Sequence, residues 1–303
     1  MKIELSVTNL KDVDIALNMK VDAINFGNEG CGYRIPQVDQ LIEILNKVGE
    51  HNMECRITLP FITQRFYEKT LESLRILSTE RKKTTVTIND YGILHAASKE
   101  SWSDSIEWVT GRHLGGSYSQ VPWHEYLLKD ESPSVQQQMK AHAMTNQTII
   151  DFLKGYGVVG VEGNSLVDEM RSLYFIKKNG LKIYVRAEYS PVFTGNICTT
   201  SRYLKKPPPS CSTYCDEVLT LRLTDILDIQ GNSLNRPDWV EKVPTFYAHG
   251  NMLYHYTPLT IEVGDTEIVD YLSFELRNYR KDELAEKIEA IREICTPQEV
   301  SRE

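Results

Sequence analysis

Short apolar or alternating runs and longer stretches whose apolar residues recur at three and four positions follow one another along the whole chain. The short runs read as strands: Lys2–Val7, Ala23–Phe26, Glu54–Leu59, Thr84–Ile88, His113–Ser117, Val158–Val161 and Lys182–Ala187, most of them rich in Val, Ile, Leu or Thr. The longer stretches, Val38–His51, Arg65–Ser78, Ser134–Tyr156 and Leu166–Lys178, read as helices that lay one face on a sheet. Helical crossovers between strands imply a parallel sheet, and seven such units fit a (β/α)8 barrel better than a six-stranded open sheet. The expected fold is therefore α/β, a TIM-barrel-like single domain over residues 1–303.

After Ala187 the pattern changes. Ser190 to Asp216 is rich in Pro, Gly and Cys and contains Pro207-Pro208-Pro209, which excludes regular structure throughout, so an irregular Cys-rich insertion is expected after the seventh strand. Strands are expected again at Glu217–Leu223, Met252–Tyr256 and Glu267–Leu276, one of them closing the barrel, followed by a helix at Lys281–Ile294. No internal repeat or linker interrupts this order.

At 303 residues and 41% hydrophobic side chains the chain can bury a sizeable core. A formal charge of −8 disfavours binding nucleic acid mainly by neutralising phosphates. There is no 18-residue apolar run, and MKIELSVTNL has neither a basic nor an apolar leader region, so no membrane association and a cytoplasmic location are expected. The six cysteines then call for metal binding or burial rather than a disulfide framework, and the Asn146-Gln-Thr148 sequon has no consequence there.

Cys198, Cys211 and Cys215 form C-x12-C-x3-C inside the irregular segment. A fourth thiol, Cys31, follows the second strand in Asn25-Phe-Gly-Asn-Glu-Gly-Cys31-Gly-Tyr-Arg34. Segments that follow strands all emerge at the C-terminal face of a parallel barrel, so the four sulfurs can meet there. Four thiolates suit a cubane cluster or structural zinc. The spacing favours the cluster, because zinc sites pair their ligands in close knuckles and here only Cys211 and Cys215 are close. Zinc and no metal remain the alternatives on spacing alone. Cys55 and Cys295 lie in an expected strand and a terminal helix and read as buried thiols.

These cysteines, with Ala23-Ile-Asn-Phe-Gly27 leading to Cys31 and Arg34, Asn89-Asp90-Tyr91-Gly92, Gly250-Asn251 followed by Tyr254, and Ser273-Phe-Glu-Leu-Arg277, resemble the peptidase U-thirty-two family, in particular its short iron-sulfur members of the UbiU and UbiV type, over nearly the whole length. The resemblance implies a [4Fe-4S] cluster on Cys31, Cys198, Cys211 and Cys215, oxygen-independent hydroxylation of a small or carrier-borne aromatic substrate, prephenate as an organic oxygen donor, and a homologous partner subunit. Hydroxylation of RNA bases and a non-catalytic cluster-bearing scaffold or redox sensor are the alternatives. The stretch from Leu114 through Gln138 departs from the short members in its length, and long connections at this face often shape a substrate pocket.

Strand ends of such a barrel define the reaction space: Glu29 and Arg34, Thr58, Asn89 and Asp90, Tyr118 and Gln120, Glu162 and Asn164, Arg186 and Glu188. Among them Glu162, Arg34, Asp90 and Arg186 are the candidate catalytic residues, Glu162 as a carboxylate at a pocket floor and the two arginines as bidentate carboxylate binders; ordinary strand-end bonds and structural ion pairs are the bland readings of the same residues. His113 and His124 are weighed as acid-base groups against polar core or surface histidines, and His249 and His255 are given no role. The absence of H-E-x-x-H and G-x-S-x-G leaves proteolysis without recognisable machinery.

Overall fold

The computed structural model describes every residue except 81–82, 195–197, 209, 211–214, 216–217, 230–235 and 296–303. Its strands are β1 (Lys2–Val7), β2 (Ala23–Gly27), β3 (Glu54–Thr58), β4 (Thr84–Ile88), β5 (Ile106–Thr110), β6 (Val158–Asn164), β7 (Lys182–Arg186), β8 (Tyr189–Thr194), β9 (Leu219–Leu221), β10 (Phe246–His249), β11 (Met252–Tyr256) and β12 (Tyr271–Glu275). Eight of them close a barrel in the order β1-β12-β7-β6-β5-β4-β3-β2, and every barrel pair is parallel. Helices α1 (Leu10–Leu17), α2 (Val38–Glu50), α3 (Tyr67–Glu80) and α4 (Tyr91–Ala97) follow β1 to β4 in turn. The connection after β5 carries α5 (His124–Leu128), α6 (Pro133–Lys140) and α7 (Gln147–Gly155), and α8 (Val167–Lys178) follows β6. This is the α/β barrel that the alternating pattern implies.

Between β7 and the closing strand β12 the chain builds a four-stranded antiparallel sheet in the order β8-β11-β10-β9, with α9 (Thr199–Tyr203), α10 (Leu223–Ile229) and α11 (Asp265–Ile268) in its connections. Helix α12 (Lys281–Cys295) ends the described chain.

Side-chain alternation divides the barrel strands into two sets. Ile3, Leu5 and Val7, Ile24 and Phe26, Ile57, Val86 and Ile88, Ile183 and Val185, and Leu272 and Phe274 join Leu41, Ile44, Leu74, Leu173, Leu284 and Ile288 of the helices in one buried core. The opposite parity, Glu4 and Ser6, Asn25, Arg56 and Thr58, Thr87, Glu162, Arg186 and Ser273, fills the lumen with polar groups that hydrogen-bond across it. Period two therefore places the hydrophobic effect outside the barrel and electrostatics inside it.

Several boundaries differ from the expected ones. The fifth strand is Ile106–Thr110, paired with both β4 and β6, while His113–Ser117 lies in the turn after it, where Leu114 N–H bonds Gly111 O at 3.0 Å and Gly115 N–H bonds Arg112 O at 3.2 Å. The expected helix over Ser134–Tyr156 is two helices, α6 and α7. The break holds buried His142, and Asn146 restarts the helix by accepting from Thr148 N–H at 2.9 Å. The segment expected to be irregular begins with strand β8 and helix α9, so the insertion is a folded sheet rather than only a loop; Cys211 and its neighbours to residue 214 lie outside the described residues. The long connection after β5 packs against that sheet: Trp123 stacks on Trp239 with centroids 6.1 Å apart and meets Phe246 edge-on at 6.0 Å, and Tyr126 stacks on Trp239 at 5.6 Å. Its length serves a second small core of Leu221, Ile226, Val240, Phe246 and Leu253.

Candidate functional site

The lumen is organised on one guanidinium. Arg56 of β3 donates through Nε to Glu4 Oε2 at 3.1 Å, through Nη2 to Glu4 Oε1, through Nη1 to Glu162 Oε1 at 2.5 Å and to Thr87 Oγ1, and its plane lies 4.5 Å from the Tyr184 ring centroid. Glu162 also accepts on Oε1 from Arg186 Nε at 3.2 Å, while its Oε2 is buried without a hydrogen-bond partner. Burial pushes the Glu162 carboxyl up, but the guanidinium of Arg186 and then that of Arg56 hold it below the ordinary carboxylate range. Such a pair remains ionised because each charge has a partner in place of water.

A second hub sits at the strand ends. Arg112, just beyond β5, grips Glu29, just beyond β2, with Nη2 on Oε1 and Nε 3.3 Å from Oε2, and its Nη1 donates to Asn164 Oδ1 at 2.9 Å and to Tyr189 O at 2.7 Å. Tyr254 of β11 donates to Glu29 Oε1 at 2.8 Å. Arg112 therefore ties the barrel mouth to the antiparallel sheet. Burial raises the Glu29 carboxyl, yet Arg112 foremost, then His113 and Arg186, holds it far below its usual range. Burial, reinforced by Glu29, pushes the Tyr254 phenol well up, and burial keeps His113 low despite Glu29, its Nε2 lying 3.9 Å from Glu29 Oε2.

Beside this mouth is a cavity of about 240 Å³ whose wall includes Cys31, Cys198 and Cys215. The loop after β2 brings Cys31: Asn28 Oδ1 accepts from Gly30 N–H and Cys31 N–H, both at 2.9 Å, which folds the chain back before the 3₁₀ turn Gly32–Arg34. Gly30 and Gly32 permit the close approach, since a Cβ would lie 2.3 Å from Met252 Cγ at the first and 2.5 Å from Phe66 Cδ2 at the second. Cys198 caps α9, its sulfur accepting from Ser201 N–H at 3.3 Å, and Thr200 N–H bonds Gly250 O at 3.0 Å, which fastens α9 to the β10–β11 turn. Gly250, at φ +63°, comes close to buried Cys215. Tyr33, Phe61, Arg65 and Phe66 also line the cavity, where Tyr33 and Phe66 meet edge-on at 4.9 Å and Arg65 lies 5.0 Å from the Tyr33 centroid.

Among the described residues the cysteines form no disulfide, and no group of three or more His, Cys, Asp or Glu side chains that could hold a metal ion is present. A single zinc ion would draw its thiolates to ~2.3 Å from one centre. A cubane gives each thiolate a different iron and so accepts a wider set than a single ion does.

The other sequence-predicted residues divide by environment. Arg34 ends the turn that begins beyond Cys31. Asp90 caps α4, accepting from Ile93 N–H at 3.0 Å. Asn89 bridges Leu59 O at 2.8 Å and His113 N–H at 3.3 Å, and Thr58 donates to Asn25 Oδ1 at 2.7 Å. Gln120 and Asn164 bond buried Glu169, and Tyr118 is exposed. Glu188 accepts from Lys287 at 2.9 Å, Tyr279 at 2.6 Å and Tyr256 at 3.2 Å. His124 bonds Val121 O at 2.9 Å. Cys55 and Cys295 pack against the main core. Arg112, Arg56 and Glu4 were missed. For Glu4 and Arg56 the available signal was a charged residue at an alternating strand position between two apolar neighbours, as in Ile3-Glu4-Leu5 and Cys55-Arg56-Ile57.

Fold and geometry together define a class: a closed (β/α)8 barrel whose C-terminal mouth is tied to an antiparallel sheet and flanked by a thiol-lined cavity. No family model matches the chain, and no curated protein does. Among solved structures the chain is similar to a U32 peptidase, at 8% identity and a TM-score of 0.43 over 91% of this chain and 92% of that one. It is also similar to orotidine 5'-monophosphate decarboxylase from Methanocaldococcus jannaschii, at 13% identity and a TM-score of 0.37 over 61% and 77% of the two chains. A xylose isomerase domain protein from Planctomyces limnophilus is similar at 13% identity and a TM-score of 0.34, over 96% and 95%. No described helix is long and apolar enough to cross a membrane.

Proposed function

We propose that this chain is an iron-sulfur protein that supports oxygen-independent hydroxylation of a small or carrier-borne aromatic substrate. Cys31, Cys198, Cys211 and Cys215 would hold a [4Fe-4S] cluster, which supplies electron transfer when bound. The observation that carries the reading is the convergence of Cys31, Cys198 and Cys215, from both ends of the fold, on one cavity at the barrel mouth. The donor set fits, since soft thiolates suit iron and the Cys198 sulfur already accepts a backbone N–H. Aromatic faces at Tyr33, Phe61 and Phe66, with the Arg65 guanidinium beside them, suit a planar ring and an anionic oxygen donor such as prephenate. Charge and proton handling fall to Glu162 with its unpartnered oxygen, Arg186, Arg34 and Asp90. A homologous partner subunit belongs to the same proposal, and the net charge of −8 favours a small substrate over RNA.

Anaerobic purification with iron and sulfide analysis tests it. About four irons per chain and a broad absorbance near ~410 nm are expected, and serine at any of the four cysteines is expected to abolish both. Iron-free protein, bound zinc, or an iron content untouched by those substitutions refutes the reading.

A further inference from the structure

Where β12 meets the antiparallel sheet, four buried polar atoms make no hydrogen bond: His249 Nδ1, Glu275 Oε1, and Nε and Nη1 of Arg277. Arg277 Nε lies 3.1 Å from Glu275 Oε1, an ion pair whose alignment leaves both atoms with hydrogen-bonding capacity to spare. All three residues line one chamber between the barrel mouth and the sheet, and its water-accessible space of about 10 Å³ is close to that of one water molecule.

The chemistry of the wall selects the occupant. His249 is 4% exposed, and its Nε2 lies 3.1 Å from Asn278 Oδ1. With Nε2 donating to that oxygen, Nδ1 is left as a bare acceptor. Burial, and then the Arg277 charge, hold the imidazole well below its ordinary pKa, in agreement with a neutral ring. The chamber thus offers unmet acceptors at His249 and Glu275 and unmet donors at Arg277. An anion would be repelled by the Glu275 carboxylate and the imidazole lone pair. A cation would face Arg112, Arg186 and Arg277, which all line the chamber. An apolar group would leave every one of these atoms unmet.

We infer that the chamber is a binding site for a single water molecule, which accepts from Arg277 Nη1 and donates to His249 Nδ1 and Glu275 Oε1. His249 is on β10 and Glu275 on β12, so the water joins the sheet to the barrel beside Arg186 and Tyr254. This site is independent of the thiol cavity.

A crystal structure of the full chain, grown with bromide in place of chloride and detailed enough to show ordered solvent, tests it. One peak without anomalous signal is expected within hydrogen-bonding distance of the three side chains, and it is expected to vanish in His249→Leu. An anomalous bromide peak, an empty chamber, or a peak that persists in His249→Leu overturns the proposal. Imidazole ¹⁵N spectra of the wild-type chain are a second readout: a bare, hydrogen-bonded Nδ1 at about pH 7 is expected, and a doubly protonated ring overturns it.

Discussion

Replacing Arg56 by Met removes the central cation of the lumen and leaves two carboxylates facing the space it filled. Arg56 is 2% exposed and donates to both oxygens of Glu4, to Glu162 and to Thr87. After the substitution Glu162 keeps Arg186 at 3.2 Å, whereas Glu4 keeps only the Ser273 hydroxyl. Removing one partner of a buried ion pair costs about 3–5 kcal/mol. Because one carboxylate retains its cation, the expected loss stays in that range and is not doubled. With a urea dependence of about 3 kcal/mol per molar for a chain of this size, the unfolding midpoint followed by circular dichroism is expected to fall by roughly 1 to 1.7 M at unchanged slope. Adding Glu4→Gln to Arg56→Met neutralises the stranded group and is expected to restore at least about 1 kcal/mol, a coupling that independent sites would not show. A loss below about 1 kcal/mol for Arg56→Met, or a double variant no more stable than the single one, would refute the claim that the lumen is held by this charge network.

Other expectations follow from single environments. Burial lowers His255 from 6.5 to about 4, so between these values the unfolded chain binds more protons than the folded one; stability is complete above about pH 6.5 and declines as pH falls, by roughly 3 kcal/mol in all. His255→Gln is expected to flatten that part of the urea midpoint against pH, and an unchanged slope would contradict it. Asp90→Ala removes the α4 cap and is expected to cost about 1 kcal/mol in urea unfolding, and a stability unchanged in that assay would contradict the capping role. Tyr254→Phe takes a hydrogen bond from buried Glu29 and is expected to lower stability by about 1.5–3 kcal/mol; a neutral result in the same assay would show that Arg112 alone satisfies that carboxylate.

The barrel was legible because its signal is local. Val, Ile and Thr runs such as Thr84–Ile88 alternate with stretches of helical period such as Val38–Glu50, and each element states its own type. The fifth strand was harder. Ile106-Glu-Trp-Val-Thr110 carries one strand's worth of pattern behind a polar 3₁₀ turn, while His-Leu-Gly-Gly-Ser further on mimics a strand without the pairing partners. That shift of a few residues hid Arg112, which occupies a strand-end position only when β5 ends at Thr110.

By itself the sequence determined the (β/α) order and the number and spacing of the thiols. Both depend on residues close together along the chain. That the Glu267–Leu276 region, rather than Glu217–Leu223 or Met252–Tyr256, closes the barrel was decided by the fold. Tertiary structure alone decided which charges meet. Glu4, Arg56, Glu162 and Arg186 lie on four different strands, and only barrel closure sets them around one lumen, as it sets Cys31 beside Cys198 and Cys215. Periodicity records which face a side chain occupies; the partner across that face is chosen by the strand order and register of the closed sheet.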